Sequence, residues 1–178
     1  MSQAKEQIVT ASEFSKGLID IREIDLIGGC SRSPNGRYLL CWEDKDYKGK
    51  KRGGQRSSGN GRLVLLEGSR LLWQLEFERP NDGVVANNGV IAINDWLFRT
   101  NKDYNKGTHL KGTFYLISAN GEVLLAETFR ANLDKCGISP DGTKAWCSTA
   151  TSNFKEHSRI VVNYEINGTI INRSVSNL

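Results

Sequence analysis

The chain has 178 residues, 38% of them hydrophobic and 25% charged, with a formal net charge of +4. That balance fits one globular domain and excludes a globally disordered chain, and no apolar run approaches the ~20 residues of a membrane-spanning helix. The charge is uneven: residues 45–61 hold six Lys/Arg and one Asp, a local +5 that leaves −1 for everything else. The expected molecule is therefore a near-neutral body carrying one basic loop, not a uniformly basic nucleic-acid binder.

In chain order, residues 1–6 are polar and lead into no apolar core of a signal peptide, so a cytoplasmic location is expected. Residues 1–17 read as an N-terminal polar segment and residues 18–178 as a single domain. A strand-like run covers 18–27. A hairpin then joins Ile27-Gly28-Gly29-Cys30 to Tyr38-Leu39-Leu40-Cys41-Trp42 around Ser33-Pro34-Asn35-Gly36. After the basic loop a second hairpin joins 62–66 to 71–75 around Glu67-Gly68-Ser69. The same pair of hairpins follows twice more. The second copy runs through Gly83-Val84-Val85-Ala86 and Val90-Ile91-Ala92-Ile93, then 113–117 and 122–126. The third runs through Cys136-Gly137-Ile138 and Lys144-Ala145-Trp146-Cys147, then 159–164 and 169–172. Each hairpin closes on a Gly-containing turn, as tight β-turns require, and Gly and β-branched residues interrupt every candidate helix.

The glycines of the first turns, Gly36, Gly89 and Gly142, are spaced 53 residues apart. A fixed period of four short strands is the pattern of β-propeller blades. The Ser-Pro-Asn/Asp-Gly turns at 33–36 and 139–142 resemble the Ser-Pro-Asp-Gly blade signature of TolB-like and related WD-repeat-like propellers. That resemblance covers two of three units; the middle copy has Ala86-Asn87-Asn88-Gly89, and the period exceeds the ~40–45 residues of a WD-type blade. The expected fold is all-β, with three four-stranded antiparallel propeller-like blades in repeats of ~53 residues. Closed propellers typically need ~4–8 blades, so either two chains complete a six-bladed ring, with 18–27 as an extra outer strand crossing between them, or one chain forms an open three-sheet structure; the dimer is favoured because an open arc exposes blade faces and sheet edges.

In an up-and-down blade the connections entering the inner strand and those between the second and third strands share one face. The first kind carries Arg79-Pro80-Asn81-Asp82 and Arg130-Ala131-Asn132, the latter continuing to Asp134 and Lys135. Guanidinium forks and amides at fixed spacing suit carboxylate or phosphate oxygens; alternatively each Arg pairs with a neighbouring Asp and each Asn caps its turn. The second kind is long and basic, and includes Arg52 and Arg56 in the first copy and residues 99–111 in the second; loops beyond ~12–15 residues are usually functional or disordered. Trp42 and Trp96 end their strands beside this face, where an indole can stack on a base or pack between sheets with its N–H on a carbonyl.

The cysteines fall into two equivalent pairs, Cys30 with Cys41 and Cys136 with Cys147, each expected to sit face to face across the first hairpin. Buried thiols, cross-strand disulfides and a metal site all compete as readings, and no Cys-x-x-Cys spacing supports the last. His109 and His157 have no placed partner, and no nucleophile elbow, phosphate loop or zinc-protease motif is present. No cofactor is implied. The pattern points to binding over catalysis: an anionic small molecule, such as a nucleotide or phosphorylated metabolite, held by Arg79, Asn81, Asp82, Arg130, Asn132, Lys135, Arg52, Arg56, Trp42 and Trp96 on a homodimer. Candidate carboxylates near this face are Glu43, Asp44, Asp82, Asp95 and Asp134; the alternatives are a nucleic-acid or protein-interaction module, and a hydrolase or lyase using Asp82, Asp95 or Asp134.

Overall fold

A computed structural model describes residues 7–43, 61–96, 112–149 and 158–177. These residues form fourteen strands and one short 3-10 turn, with no α-helix among them, and no helix long and apolar enough to cross a membrane. The strands make three antiparallel meanders. Sheet A has six strands in sequence order: β1 (Ser12–Ser15), β2 (Leu18–Ile21), β3 (Leu26–Arg32), β4 (Tyr38–Glu43), β5 (Gly61–Glu67) and β6 (Arg70–Phe77). Sheet B has four: β7 (Pro80–Val85), β8 (Ile91–Trp96), β9 (Gly112–Ile117) and β10 (Val123–Phe129). Sheet C has β11 (Leu133–Ile138), β12 (Lys144–Thr149), β13 (Ser158–Glu165) and β14 (Ile170–Asn177). None of the sheets closes on itself as a barrel.

The turns form where glycine lets the backbone reverse. Gly36, Gly68, Gly89, Gly121, Gly142 and Gly168, one in each of the six expected turns, all take positive φ, between 60° and 86°. That region is open to glycine and costly for a side chain. The turn polar groups finish the job: Ser33 Oγ accepts the Tyr38 N–H at 2.9 Å, and Ser139 Oγ accepts the Lys144 N–H at 3.0 Å. The registers then follow, with Cys30 opposite Cys41 and Cys136 opposite Cys147.

The sheets stack A on B on C. Leu40, Leu63, Leu65 and Phe77 of sheet A share one core with Val85, Ile91 and Ile93 of sheet B. Ala92, Phe114, Leu116 and Phe129 on the other face of sheet B share a second core with Leu133, Cys136, Ala145, Cys147, Val162 and Tyr164 of sheet C. Sheet B is covered on both faces, which is why β8 is buried from Ile91 through Asp95, the polar Asn94 and Asp95 included. The first turns of the three sheets also join edge to edge. Asn35 N–H donates to Asn87 Oδ1 at 2.8 Å, Asn87 N–H to Pro140 O at 2.9 Å, and Asn88 Nδ2 to Asp141 O at 2.9 Å.

The first unit departs from the four-strand expectation. Residues 18–27 do not run as one outer strand of a neighbouring unit. They break into β2, a 3-10 turn over Arg22–Ile24 and the start of β3, with Asp25 in the left-handed region at φ 52°. β2 pairs with β3 in the same sheet, Leu18 opposite Gly29 and Ile21 opposite Leu26. On its other side β3 runs close to the end of β4 at Gly28, where a Cβ would lie 1.9 Å from the Trp42 carbonyl oxygen. Arg62 fixes the reversal, its guanidinium reaching Ile24 O at 2.9 Å, Asp25 O at 2.6 Å and Glu43 Oε1 at 2.6 Å. The polar N-terminal segment contributes to the body as well. It supplies β1, and residues 7–9 bridge the far edge of the sheet through Ile8 opposite Arg70. Val9 is 1% exposed, in a third core with Ile19, Ile21, Leu26, Leu39, Cys41, Val64 and Leu66.

Candidate functional site

The connections that enter the first strands of sheets B and C lie side by side, because β11 packs against β7 and β8. Five sequence-predicted residues, Arg79, Asp82, Asp95, Trp96 and Lys135, meet there through specific contacts. Asp95 is 2% exposed and grips the β6–β7 connection with both oxygens, accepting the Arg79 N–H at 2.6 Å and the Glu78 N–H at 3.2 Å. The Arg79 guanidinium carbon then sits 5.7 Å from the Trp96 ring centroid, a cation–π distance. The Trp96 indole N–H donates to Leu133 O at 2.9 Å, so the ring ties the Arg79 connection to the start of β11 beside Asn132. Asp82 Oδ2 accepts the Cys136 N–H at 2.9 Å, and its Oδ1 lies 4.0 Å from Lys135 Nζ.

The other candidates fall around or away from this rim. Asn81 and Arg130 are exposed, one at the start of β7 and the other on the connection into β11. Trp42 is elsewhere: it packs over Gly29, where a Cβ would fall 2.5 Å from its ring, and against Gly83 of sheet B. It is a wedge between sheets A and B. Arg52, Arg56, Asp44 and the two histidines lie outside the described residues.

Of the carboxylates considered for hydrolysis, the four among the described residues hold structural partners. Glu43 is 3% exposed, pairs with Arg62 at 2.5 Å and accepts the Ile27 N–H at 3.3 Å. Asp82 and Asp95 accept the backbone bonds described above, and Asp134 lies 3.1 Å from Arg159. Among the described residues no group of three His, Cys, Asp or Glu is arranged to hold a metal ion.

Two polar residues at the rim had not been singled out. Arg159 Nη2 reaches both Asp134 Oδ2 at 3.1 Å and Ser148 Oγ at 2.9 Å, while its Nε is buried without a hydrogen-bond partner among the described residues. Asn94 is fully buried, and neither its amide nitrogen nor its oxygen has a partner there. It stands opposite Asp82 in the β7–β8 register and therefore shares its face. The 53-residue period contains this signal, since Asn94 occupies the position of Cys41 and Cys147 in the other two copies. Buried polar atoms are normally paired, with water if not with protein.

The thiols and phenols near the rim are held neutral. Burial pushes the Cys136 thiol up, with the Asp82 carboxylate adding to it, and burial pushes Cys147 up to about 12. Tyr164 is raised by burial and by its neighbours Cys147 and Glu127, whose Oε2 accepts its hydroxyl at 2.7 Å.

No family model matches this chain, and no curated protein matches it. Among solved structures it is similar to a chain of hydrazine synthase from Kuenenia stuttgartiensis, with a TM-score of 0.54 and 11% identity. The match covers 90% of this chain and 43% of that one, so this chain spans less than half the length of that neighbour. At this identity the likeness is one of fold.

Proposed function

We propose that this protein is a non-catalytic binding protein for an anionic small molecule, such as a nucleotide or phosphorylated metabolite, at the rim between sheets B and C. The observation that supports it is the placement of Arg130 and Lys135, both exposed, on either side of the β11 start, beside an Arg79 already oriented by Trp96. A pre-oriented guanidinium loses little freedom on meeting an oxyanion. Asn81 and Asn132 supply amides at the same rim, and Asp82 and Trp96 hold the two sheets in register; Arg52 and Arg56 belong to the proposed set on their sequence alone. We read the three sheets as successive propeller-like blades, supported by their shared meander order and by the turn-to-turn bonds from Asn35 through Asn87 to Pro140. A homodimer belongs to the same reading.

Arg79→Ala combined with Arg130→Ala tests the site. Nucleotide or phosphometabolite binding by isothermal titration calorimetry is expected to vanish while far-UV circular dichroism stays unchanged; unaltered affinity overturns the assignment. Binding of oligonucleotides with a steep salt slope, and none of small anions, supports a nucleic-acid module instead.

A further inference from the structure

The two cysteine pairs occupy the same register but different surroundings, and the difference bears on chemistry outside the proposed site. In the first hairpin the Ser33 N–H bonds to Tyr38 O at 3.0 Å, which makes that pair hydrogen-bonded. Pairs alternate along an antiparallel ladder, so Cys30 and Cys41, three steps on, form a non-hydrogen-bonded pair. The Cys30 N–H agrees: it points away from β4, to Gly17 O at 2.9 Å. In the third unit Ser139 N–H bonds Lys144 O at 2.8 Å, and the Cys136 N–H goes to Asp82, so Cys136 and Cys147 are also a non-hydrogen-bonded pair. Residues so paired have Cα atoms about 4.5 Å apart, inside the range of roughly 4.4–6.8 Å that a disulfide spans.

The pairs differ in access. Cys136 is 6% exposed and Cys147 fully buried in the core between sheets B and C. Their sulfurs are engaged, Cys136 Sγ with Asp82 O at 3.3 Å and Cys147 Sγ with the Tyr164 hydroxyl at 3.8 Å. Cys41 is buried too, but Cys30 is only partly covered, at the rim of the core on the outward face of sheet A.

We propose that Cys30 and Cys41 are an oxidisable dithiol that closes to a cross-strand disulfide on meeting a small-molecule disulfide, while Cys136 and Cys147 stay reduced. The Cys30 thiolate attacks one sulfur of the reagent, whose S–S bond breaks and whose other half leaves as a thiolate, taking up the proton Cys30 gave. Cys41, in its thiolate form, then attacks the Cys30 sulfur and expels the second half as a thiol. Two protein thiols are oxidised by two electrons, and one small disulfide is reduced to two thiols. The accessible Cys30 must act first, since Cys41 is sealed until its partner has been captured. Burial and the nearby Glu13 raise the Cys30 thiol against the opposing Arg32, and burial beside Cys30 raises Cys41 well above the usual thiol range, so both steps are slow at neutral pH and quicken about tenfold per pH unit below those raised values.

The test uses the folded full-length protein incubated with oxidised glutathione at several pH values, quenched with acid, alkylated under denaturing conditions and mapped by peptide mass spectrometry. The expected result is loss of two of the four alkylatable cysteines, a linked peptide joining Cys30 to Cys41 and lighter by two hydrogens, and a rate that rises with pH. Cys30→Ser is expected to abolish the loss and Cys136→Ser to leave it intact. Four free thiols after prolonged exposure, a glutathione adduct that persists on Cys30, linkage of Cys136 to Cys147 first, or mixed pairings among all four would each overturn the proposal.

Discussion

Sheets A and C stand at the two ends of the stack and share a plan, four meandering strands with a Ser-Pro first turn and a Cys–Cys pair in the inner hairpin, yet their outward faces are finished differently. The outward face of sheet A buries Leu39, Cys41, Val64 and Leu66 under Val9, Ile19, Ile21 and Leu26, which come from the N-terminal segment and the β2–β3 reversal. Sheet C has its inward face in the core with sheet B, and the opposite face leaves Trp146 37% exposed over Gly137. A unit in the middle of a stack has neighbours on both faces; a terminal unit has to supply its own cover or leave a face open. Sheet A shows the first solution.

The largest expected effect comes from breaking the cover. Ile19→Ala removes a fully buried side chain from the third core and is expected to lower unfolding free energy by about 2–5 kcal/mol. Ile171→Ala in β14, where the side chain is 46% exposed, is expected to change it by about 0.5 kcal/mol or less. Urea titrations of both variants check the contrast, and equal effects would mean that the cover on sheet A carries no stability of its own.

Next is the joint between sheets B and C. Asp82→Ala leaves the Cys136 N–H, on a buried residue, without its acceptor, at an expected cost of about 1–3 kcal/mol. Asp82→Asn keeps an acceptor oxygen and is expected to recover most of that loss by the same titration.

A smaller effect compares two glycines that each lie beneath a tryptophan. A Cβ on Gly29 would lie 2.5 Å from the Trp42 ring, and one on Gly137 would lie 2.2 Å from Trp146 Nε1. By distance the second is worse. Trp42, however, is packed against the core between sheets A and B and has nowhere to move, whereas Trp146 can swing into solvent. Gly29→Ala is therefore expected to destabilise by about 1–3 kcal/mol and Gly137→Ala by less than about 1 kcal/mol. Thermal melts of the two variants give the order directly.

Much of this architecture was legible because it is local. The six left-handed glycines and the facing cysteines follow from residues within a single hairpin, and the 53-residue period repeats that hairpin along the chain. The reversal at 22–25 was not legible, because the bonds that fix it come from Arg62, nearly forty residues on. The run at 18–21 alternates partly buried and buried positions as an outer strand would. At the candidate site, the sequence placed Arg79, Asp82 and Trp96 near one another but left open whether they bind a ligand or one another. The structure adds Asp95 on the backbone of Arg79 and Trp96 on Leu133, bonds that depend on the packing of sheet B against sheet C.

The smallest effect separates the two Ser-Pro turns by acid. Asp141 stands where the first turn has Asn35 and carries a charge that Asn35 lacks. Hydrogen bonds from the Ser139 hydroxyl and from the Thr143 backbone and side chain hold its carboxyl down at about 2. A folded-state value below the unfolded one of about 3.9 means that the carboxylate's contribution is fully present above about pH 4 and is lost as pH falls through about 2. Asp141→Asn should flatten the stability profile of the protein across that window and lower stability slightly at pH 7, because a neutral amide oxygen accepts the same Thr143 N–H less strongly than the carboxylate does. A profile from urea titrations between pH 2 and 5 that is identical in the two proteins would show that the third turn, despite its charge, is held no differently from the first.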